Sequence, residues 1–188
     1  NAGQLAMQGE PEAVMDYYNA VLADHQNQTV KQETTADGKV QTISGTGEVS
    51  LEEVNLVDDK GQTIELVAVG QAVSLSIQIH CHQSIPELVI GYMIKDRLGQ
   101  PVFGTNTHHL KRQLKNLQAQ DRIQFNFDFD ANLGPGTYSI AVAAHTADTH
   151  IGKNYEWRDQ AIIFNVVNTQ HAEFVGVAWM PPEVRCKQ

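Results

Sequence analysis

AVSLSIQIHCH, residues 72–82, alternates without a break: Val73, Leu75, Ile77, Ile79 and Cys81 fall on one side of an extended chain, and Ser74, Ser76, Gln78, His80 and His82 on the other. A period of two with a single apolar face is what a half-buried antiparallel strand requires. The rule repeats over residues 122–130, RIQFNFDFD, where Ile123, Phe125, Phe127 and Phe129 point to a core and Gln124, Asn126, Asp128 and Asp130 to water. Working outward, strands are expected over residues 48–57, 87–96, 101–106, 137–146, 160–167 and 172–179. Asp96 to Gly99 reads as a hairpin turn and Gly134-Pro135-Gly136 as a tight turn between strands. Short strands in this number, separated by Gly, Pro and Asp turns, predict an all-β antiparallel sandwich. One stretch departs from the alternation. HHLKRQLKNLQ, residues 108–118, spaces Leu110, Leu114 and Leu117 four and three apart, which suits a short helix or a turn-rich crossover between sheets, with Lys111, Arg112 and Lys115 on a solvated face.

Ahead of the sandwich the period is different. Pro11 suits a first helical turn, Glu10 and Glu12 favour the positive helix end, and Val14, Tyr17, Tyr18, Val21 and Leu22 recur at three- and four-residue spacing. A helix is therefore expected over about residues 11–25, with an apolar stripe that nothing nearby covers. From residue 26 to 46 the sequence is polar, rich in Thr, Gln and Gly, and without apolar periodicity. The resulting division is a helical segment over 1–28, a flexible linker over 29–46 and the sandwich over 47–188.

Composition bounds the function. The 188 residues carry 13 basic and 22 acidic side chains, a net charge of -9, with 41% hydrophobic and 19% charged residues, enough apolar content for a sizeable core in one or two domains. An acidic surface argues against nucleic acid, whose affinity comes largely from Lys and Arg contacts with phosphates. No apolar run approaches the roughly 20 residues that span a bilayer, and a basic-then-apolar leader is absent from the N-terminus, so neither spanning nor targeting is expected. Cys81 and Cys186 are too few for a disulfide framework; both are expected to be free thiols, Cys81 as a small buried hydrophobe.

Enzymatic motifs are absent: no Walker loop, no GxSxG elbow, no HExxH, no CxxC pair and no dinucleotide fingerprint. His80 with His82, and His108 with His109, have spacings that could hold a metal, but water-facing histidines on an acidic sheet are ordinary polar residues, and neither a metal nor a cofactor is expected. Asp128 and Asp130 share a strand face and supply the carboxylates of a hydrolase alternative. The outward row of residues 137–146 is more informative, since Ser139, Ala141, Ala143 and His145 oppose an inward Tyr138, Ile140, Val142 and Ala144. Water-facing strands usually carry longer side chains, so a row this small suggests that something lies flat on the sheet. On the neighbouring strand Gly91, Met93 and Lys95 continue the row. Tyr155 and Trp157 add rings that stack on the C–H faces of sugars, although Trp157 also suits a core plug. The final strand, with Phe174, Val175, Val177 and Trp179, follows an already complete sandwich; it caps an edge or crosses to a second copy of the chain.

IGYMIKDRLGQPVFGTNT, residues 90–107, and NLGPGTYSIAVAAHT, residues 132–146, together resemble the C-terminal carbohydrate-binding domain of Wzt-type subunits, the ATP-binding components of bacterial ABC exporters of O-antigen polysaccharide. The resemblance covers residues 47–180. Residues 1–22 are similar to the end of an exporter nucleotide-binding domain, whose core would cover the orphan stripe. What the resemblance implies is an immunoglobulin-like sandwich that binds finished O-antigen polysaccharide at the cytoplasmic face of the inner membrane. The implied partners are the exporter's nucleotide-binding domain and transmembrane subunit. It also implies a homodimer formed by exchange of the strand over 172–180, and a chain that is not itself an enzyme, since the Walker motifs would belong to the full-length subunit. Asp96, Gly99, Phe103, Gly104, Thr105 and Asn106 read as turn and core determinants of the family rather than ligand contacts. The rival to glycan recognition is a dimerisation module whose small-residue face meets protein.

Overall fold

The structure is a computed structural model that describes residues 5–9, 11, 14, 15, 17, 18, 29–34, 40–146 and 153–187. Within them the strands are β1 (Thr29–Thr34), β2 (Val40–Gly45), β3 (Val49–Val57), β4 (Leu66–Ala68), β5 (Ala72–Cys81), β6 (Ile85–Asp96), β7 (Pro101–Asn106), β8 (Leu114–Leu117), β9 (Arg122–Asp130), β10 (Gly136–His145) and β11 (Asn154–Val167). The larger sheet runs β1-β2-β11-β10-β6-β7, with β4 parallel to β11 and β8 antiparallel to β6; the smaller runs β3-β5-β9. The two sheets close on each other as an immunoglobulin-like sandwich.

The alternation that predicted β5 and β9 is what builds the core. Leu75 pairs with Leu56 and Phe127, Ile77 with Val54 and Phe125, and Ile79 with Leu51 and Ile123. These side chains enter one cluster with Ile90, Tyr92 and Ile94 of β6 and with Tyr138, Ile140, Val142 and Ala144 of β10. Leu75, Ile77, Ile79, Ile90 and Ile140 are fully buried, each contributing roughly 1.5–3 kcal/mol of hydrophobic stabilisation. Tyr92 packs its ring 5.0 Å from Phe127, 5.9 Å from Phe129 and 6.0 Å from Phe103. Tyr138 stacks on Phe164 and donates its hydroxyl to the Gly134 carbonyl at 2.9 Å, the tyrosine corner that fixes a strand entry in this class of sandwich. At the 96–99 turn, Asp96 Oδ1 accepts the amides of Leu98 and Gln100 while Gly99 takes φ 77°. Cys81 is buried, and burial with the nearby Asp121 charge pushes its thiol pKa up; Cys186 is exposed.

The structure corrects the sequence reading in two places. Residues 29–46 are not a linker: β1 and β2 form a hairpin, and β2 joins β11 through Ser44 opposite Trp157 and Ile43 opposite Arg158. The β-branched Val and Thr residues suit this edge although no apolar alternation marks it. Gly45 makes the join possible, because a Cβ there would lie 2.2 Å from the Tyr155 carbonyl oxygen. Most of the helix expected over 11–25 lies outside the described residues; the positions described, Pro11, Val14, Met15, Tyr17 and Tyr18, are helical. Residues 172–179 are not a strand. They make one isolated bridge, Ala178 to Leu133, flanked by the Gly134 amide on the Val177 carbonyl and the Trp179 amide on the Asn132 carbonyl, and Gly176 at φ 111° interrupts the extended backbone. Of the two readings of 108–118, the crossover is the observed one: a turn over 107–111 leads into β8.

Candidate functional site

On the outer face of the larger sheet, Trp157 of β11 stands opposite Ala143 of β10, Ala143 opposite Gly91 of β6, and Gly91 opposite Asn106 of β7. The next row runs Ala141, Met93, Gly104. With methyl groups and bare backbone between taller walls, the surface sinks into an open groove of about 380 Å³ whose lining also includes Thr105, His109 and His145. That size falls within the roughly 300–1,000 Å³ of small-ligand sites. Both glycines keep the floor low: a Cβ on Gly91 would meet the Asn106 Cβ at 3.0 Å, and one on Gly104 the Tyr92 carbonyl oxygen at 3.3 Å.

The polar groups are few and held in place. Asn106 Oδ1 accepts the His109 amide at 2.8 Å, which sets the turn that carries His109 to the rim. Thr107 Oγ1 accepts the Ile90 amide at 3.0 Å and pins the same turn to β6. His145 Nδ1 lies 2.6 Å from the Thr146 carbonyl, which can only accept, so that nitrogen carries the proton and Nε2 of the neutral ring is an acceptor. No Asp, Glu, Lys or Arg is among the lining residues.

Two β-bulges decide which side chains of β11 reach this face. The first leaves Tyr155 between the pairs Ala144–Glu156 and His145–Asn154. Strict alternation places Tyr155 beside Trp157 on the groove, but the extra residue turns it into the core, where it is 2% exposed, its hydroxyl donates to the Glu87 carbonyl at 3.2 Å and burial pushes its phenol up to about 12. The second bulge inserts Asp159 to Ala161 opposite Ala141, with Gln160 at φ 45°. Asp159 Oδ1 accepts the Gln160 amide and binds Lys95 Nζ at 2.8 Å.

Gly91, Met93, Ala141, Ala143, His145 and Trp157 are thus brought together as the sequence implied. Lys95 is not a ligand contact in waiting but half of a buried ion pair, and Ser139, its partner across β6 and β10, is 6% exposed and outside the lining. Gly104, Thr105 and Asn106, read from sequence as turn and core determinants, line the groove; the phase of Gly104 and Asn106 along an edge strand was the signal for it. His109 had none beyond its place in a turn. Among the described residues no group of three or more His, Cys, Asp or Glu is placed to hold a metal. His82 Nε2 pairs with Ser50 Oγ at 2.8 Å and His80 Nε2 with Gln120 Oε1 at 3.3 Å. Asp128 and Asp130 are exposed on the outer face of the smaller sheet, opposite Ser74 and Ala72 and away from the groove.

Fold and groove define a β-sandwich module with an open groove on the outer face of its larger sheet, lined without Asp, Glu, Lys or Arg. The sequence model of the Wzt C-terminal domain matches residues 40–180, and the chain belongs to that family of exporter-subunit domains. A crystal structure of the C-terminal domain of Wzt superposes with a TM-score of 0.69 at 17% identity, covering 78% of this chain and 89% of that one. A Niemann-Pick type C2 protein from Japanese carpenter ant gives 0.47 at 9% identity, covering 65% and 97% of the two chains. The alkylpurine DNA glycosylase AlkC of Pseudomonas fluorescens gives 0.40 at 14%, covering 65% and 31%. Of these three, the first reaches the likeness that defines a shared fold. A comparison with curated proteins gives no match. Among the described residues no helix is long and apolar enough to cross a membrane.

Proposed function

We propose that the groove recognises O-antigen polysaccharide for an ABC exporter, at the cytoplasmic face of the inner membrane. The observation that carries this reading is the row Trp157-Ala143-Gly91-Asn106, which sets an aromatic wall, a floor without side chains and an amide wall across one sheet. Sugars match that combination: the indole stacks on a C–H face while Asn106, Thr105 and His145 exchange hydrogen bonds with hydroxyl groups. Such bonds replace bonds to water for a small net gain, so the affinity expected is micromolar to millimolar. The test is a titration of the chain with O-glycans followed at Trp157, in which a matching glycan perturbs the groove and Trp157→Ala weakens the effect.

The C-terminal segment supports a homodimer as the second element of the reading. Phe174 and Trp179 pack against their own core with rings 4.8 Å apart, whereas Val175 is 96% and Val177 48% exposed. The segment is tied to the sandwich by one isolated bridge, Ala178 to Leu133, and exchange of that bridge with a second copy is the route to a dimer in this reading. Light scattering of the chain and of Val175→Glu tests it: a dimer that the substitution dissociates supports the exchange, and a monomer in both rejects it. The exporter's nucleotide-binding domain and transmembrane subunit remain the partners to which a bound glycan would be presented.

A further inference from the structure

The outer side of β9 is an unguarded sheet edge. Exposed edge strands normally carry Lys or Pro, a bulge or a cover, because their unpaired amides and carbonyls accept another extended chain. β7 opens on Pro101 with a bulge at Val102, and β3 carries a bulge at Glu52. β9 runs from Arg122 to Asp130 with neither Lys nor Pro, in unbroken register with β5, and among the described residues no strand pairs with its other side. The ladder bonds at its ends join Cys81 to Asp121 and Gln71 to Ala131, so odd residues bond β5 and the backbone groups of Arg122, Gln124, Asn126, Asp128 and Asp130 point outward. Its apolar side is also incompletely covered. Leu75, Ile77 and Ile79 of β5 are fully buried, whereas Ile123, Phe125, Phe127 and Phe129 are only half-buried.

We infer that β9 pairs antiparallel with β9 of a second copy across a twofold axis at Asn126, which joins the two smaller sheets into one. The sequence of the strand favours this occupant. Only the even residues can exchange the outward hydrogen bonds, and with Asn126 opposite its own copy all of β9 is paired. Arg122 then stands opposite Asp130 at both ends and Gln124 opposite Asp128, while on the core side Ile123 meets Phe129 and Phe125 meets Phe127. Arg122 holds Glu52 through one guanidinium nitrogen at 2.9 Å, yet its side chain is 58% exposed and can reach a second carboxylate across the axis.

This contact is separate from exchange of the tail, so the test uses the full chain carrying Val175→Glu. Sedimentation equilibrium from micromolar to millimolar chain is expected to show a monomer–dimer equilibrium. Arg122→Asp and Asp130→Arg, each added singly, set like charges opposite one another at both ends and are expected to weaken dimerisation about tenfold or more. Both sites are exposed, so urea midpoints close to the parent's are expected and show that the variants fold. Mixed in equal amounts, the two variants place opposite charges at both ends of a hetero-pair and are expected to regain the parent's affinity. A chain that stays monomeric throughout, a dimer indifferent to both charge variants, or a mixture that associates no better than either variant alone overturns the pairing.

Discussion

Lys95 of β6 and Asp159 of β11 are joined by an ion pair of 2.8 Å that crosses β10, with only 10% and 5% of the two side chains exposed. The same Asp159 oxygen holds the Gln160 amide, so the pair fastens the bulge that separates Trp157 from the regular part of β11. The charge is therefore part of the support of the groove rather than of its surface. Lys95→Met leaves a buried carboxylate unpaired and is expected to cost about 3–5 kcal/mol in urea unfolding. Adding Asp159→Leu should recover more than half of that loss, because two apolar side chains need no partner. A single variant as stable as the parent would show that the pair does not bind the strands together.

The tail docks by a contact that tolerates no side chain. A Cβ on Gly134 would lie 1.9 Å from the Gly176 carbonyl oxygen. Gly134→Ala is thus expected to lift the segment around Gly176, expose Trp179 and destabilise the chain by about 1–3 kcal/mol. Tryptophan fluorescence checks this directly: a red shift in the variant, absent in a Gly9→Ala control where a Cβ meets nothing within 4 Å, is the expected outcome.

Alkaline pH supplies a third test. Burial pushes the phenols of Tyr92 and Tyr155 up to about 12, with Glu48, Cys81 and Glu87 adding to the effect on Tyr155. A group whose pKa is raised by folding contributes stability that is complete below its unfolded value of about 10 and is lost as pH rises toward the folded value. Stability is therefore expected to fall between about pH 10 and 12, with Tyr92→Phe and Tyr155→Phe flattening the fall. Urea midpoints measured across that range, alongside tyrosinate absorbance, give the answer; an unchanged midpoint contradicts it.

Raising the floor should close the site without unfolding the sandwich. Ala141→Phe adds a ring in the row Ala141, Met93, Gly104, where the floor of the groove is otherwise low. Glycan binding is expected to disappear, while crowding at this buried position costs about 1–3 kcal/mol in urea unfolding and leaves the sandwich folded. Retained binding in this variant would place the site elsewhere.

Most of the sandwich was legible because its strands bury one face, and a period of two is then forced on the sequence, as in β5 and β9. β1 and β2 were not, since their pairing rests on backbone hydrogen bonds and on Val and Thr rather than on apolar alternation. β4 and β8, three and four residues long, are too short for any period to show. The groove was legible in part for the opposite reason: Ala141, Ala143 and Gly91 are smaller than an outward row needs. Tyr155 was misplaced because a bulge reverses the inward and outward sense without leaving a mark in composition. Lys95 was misplaced because its partner, Asp159, is brought to it by that irregular stretch of β11. The tail reads as a strand from Val175 and Val177, yet Gly176 adopts a backbone that a strand does not use.

The most direct test of the account is an NMR titration of the whole chain against a panel of O-antigen glycans, with Trp157→Ala and Ala141→Phe alongside. The account predicts that a matching glycan shifts the Trp157 indole and the Ala143 amide with micromolar to millimolar affinity, that Trp157→Ala weakens binding up to about tenfold and that Ala141→Phe abolishes it. Shifts confined to the β3-β5-β9 sheet, or binding unchanged in both variants, would contradict it.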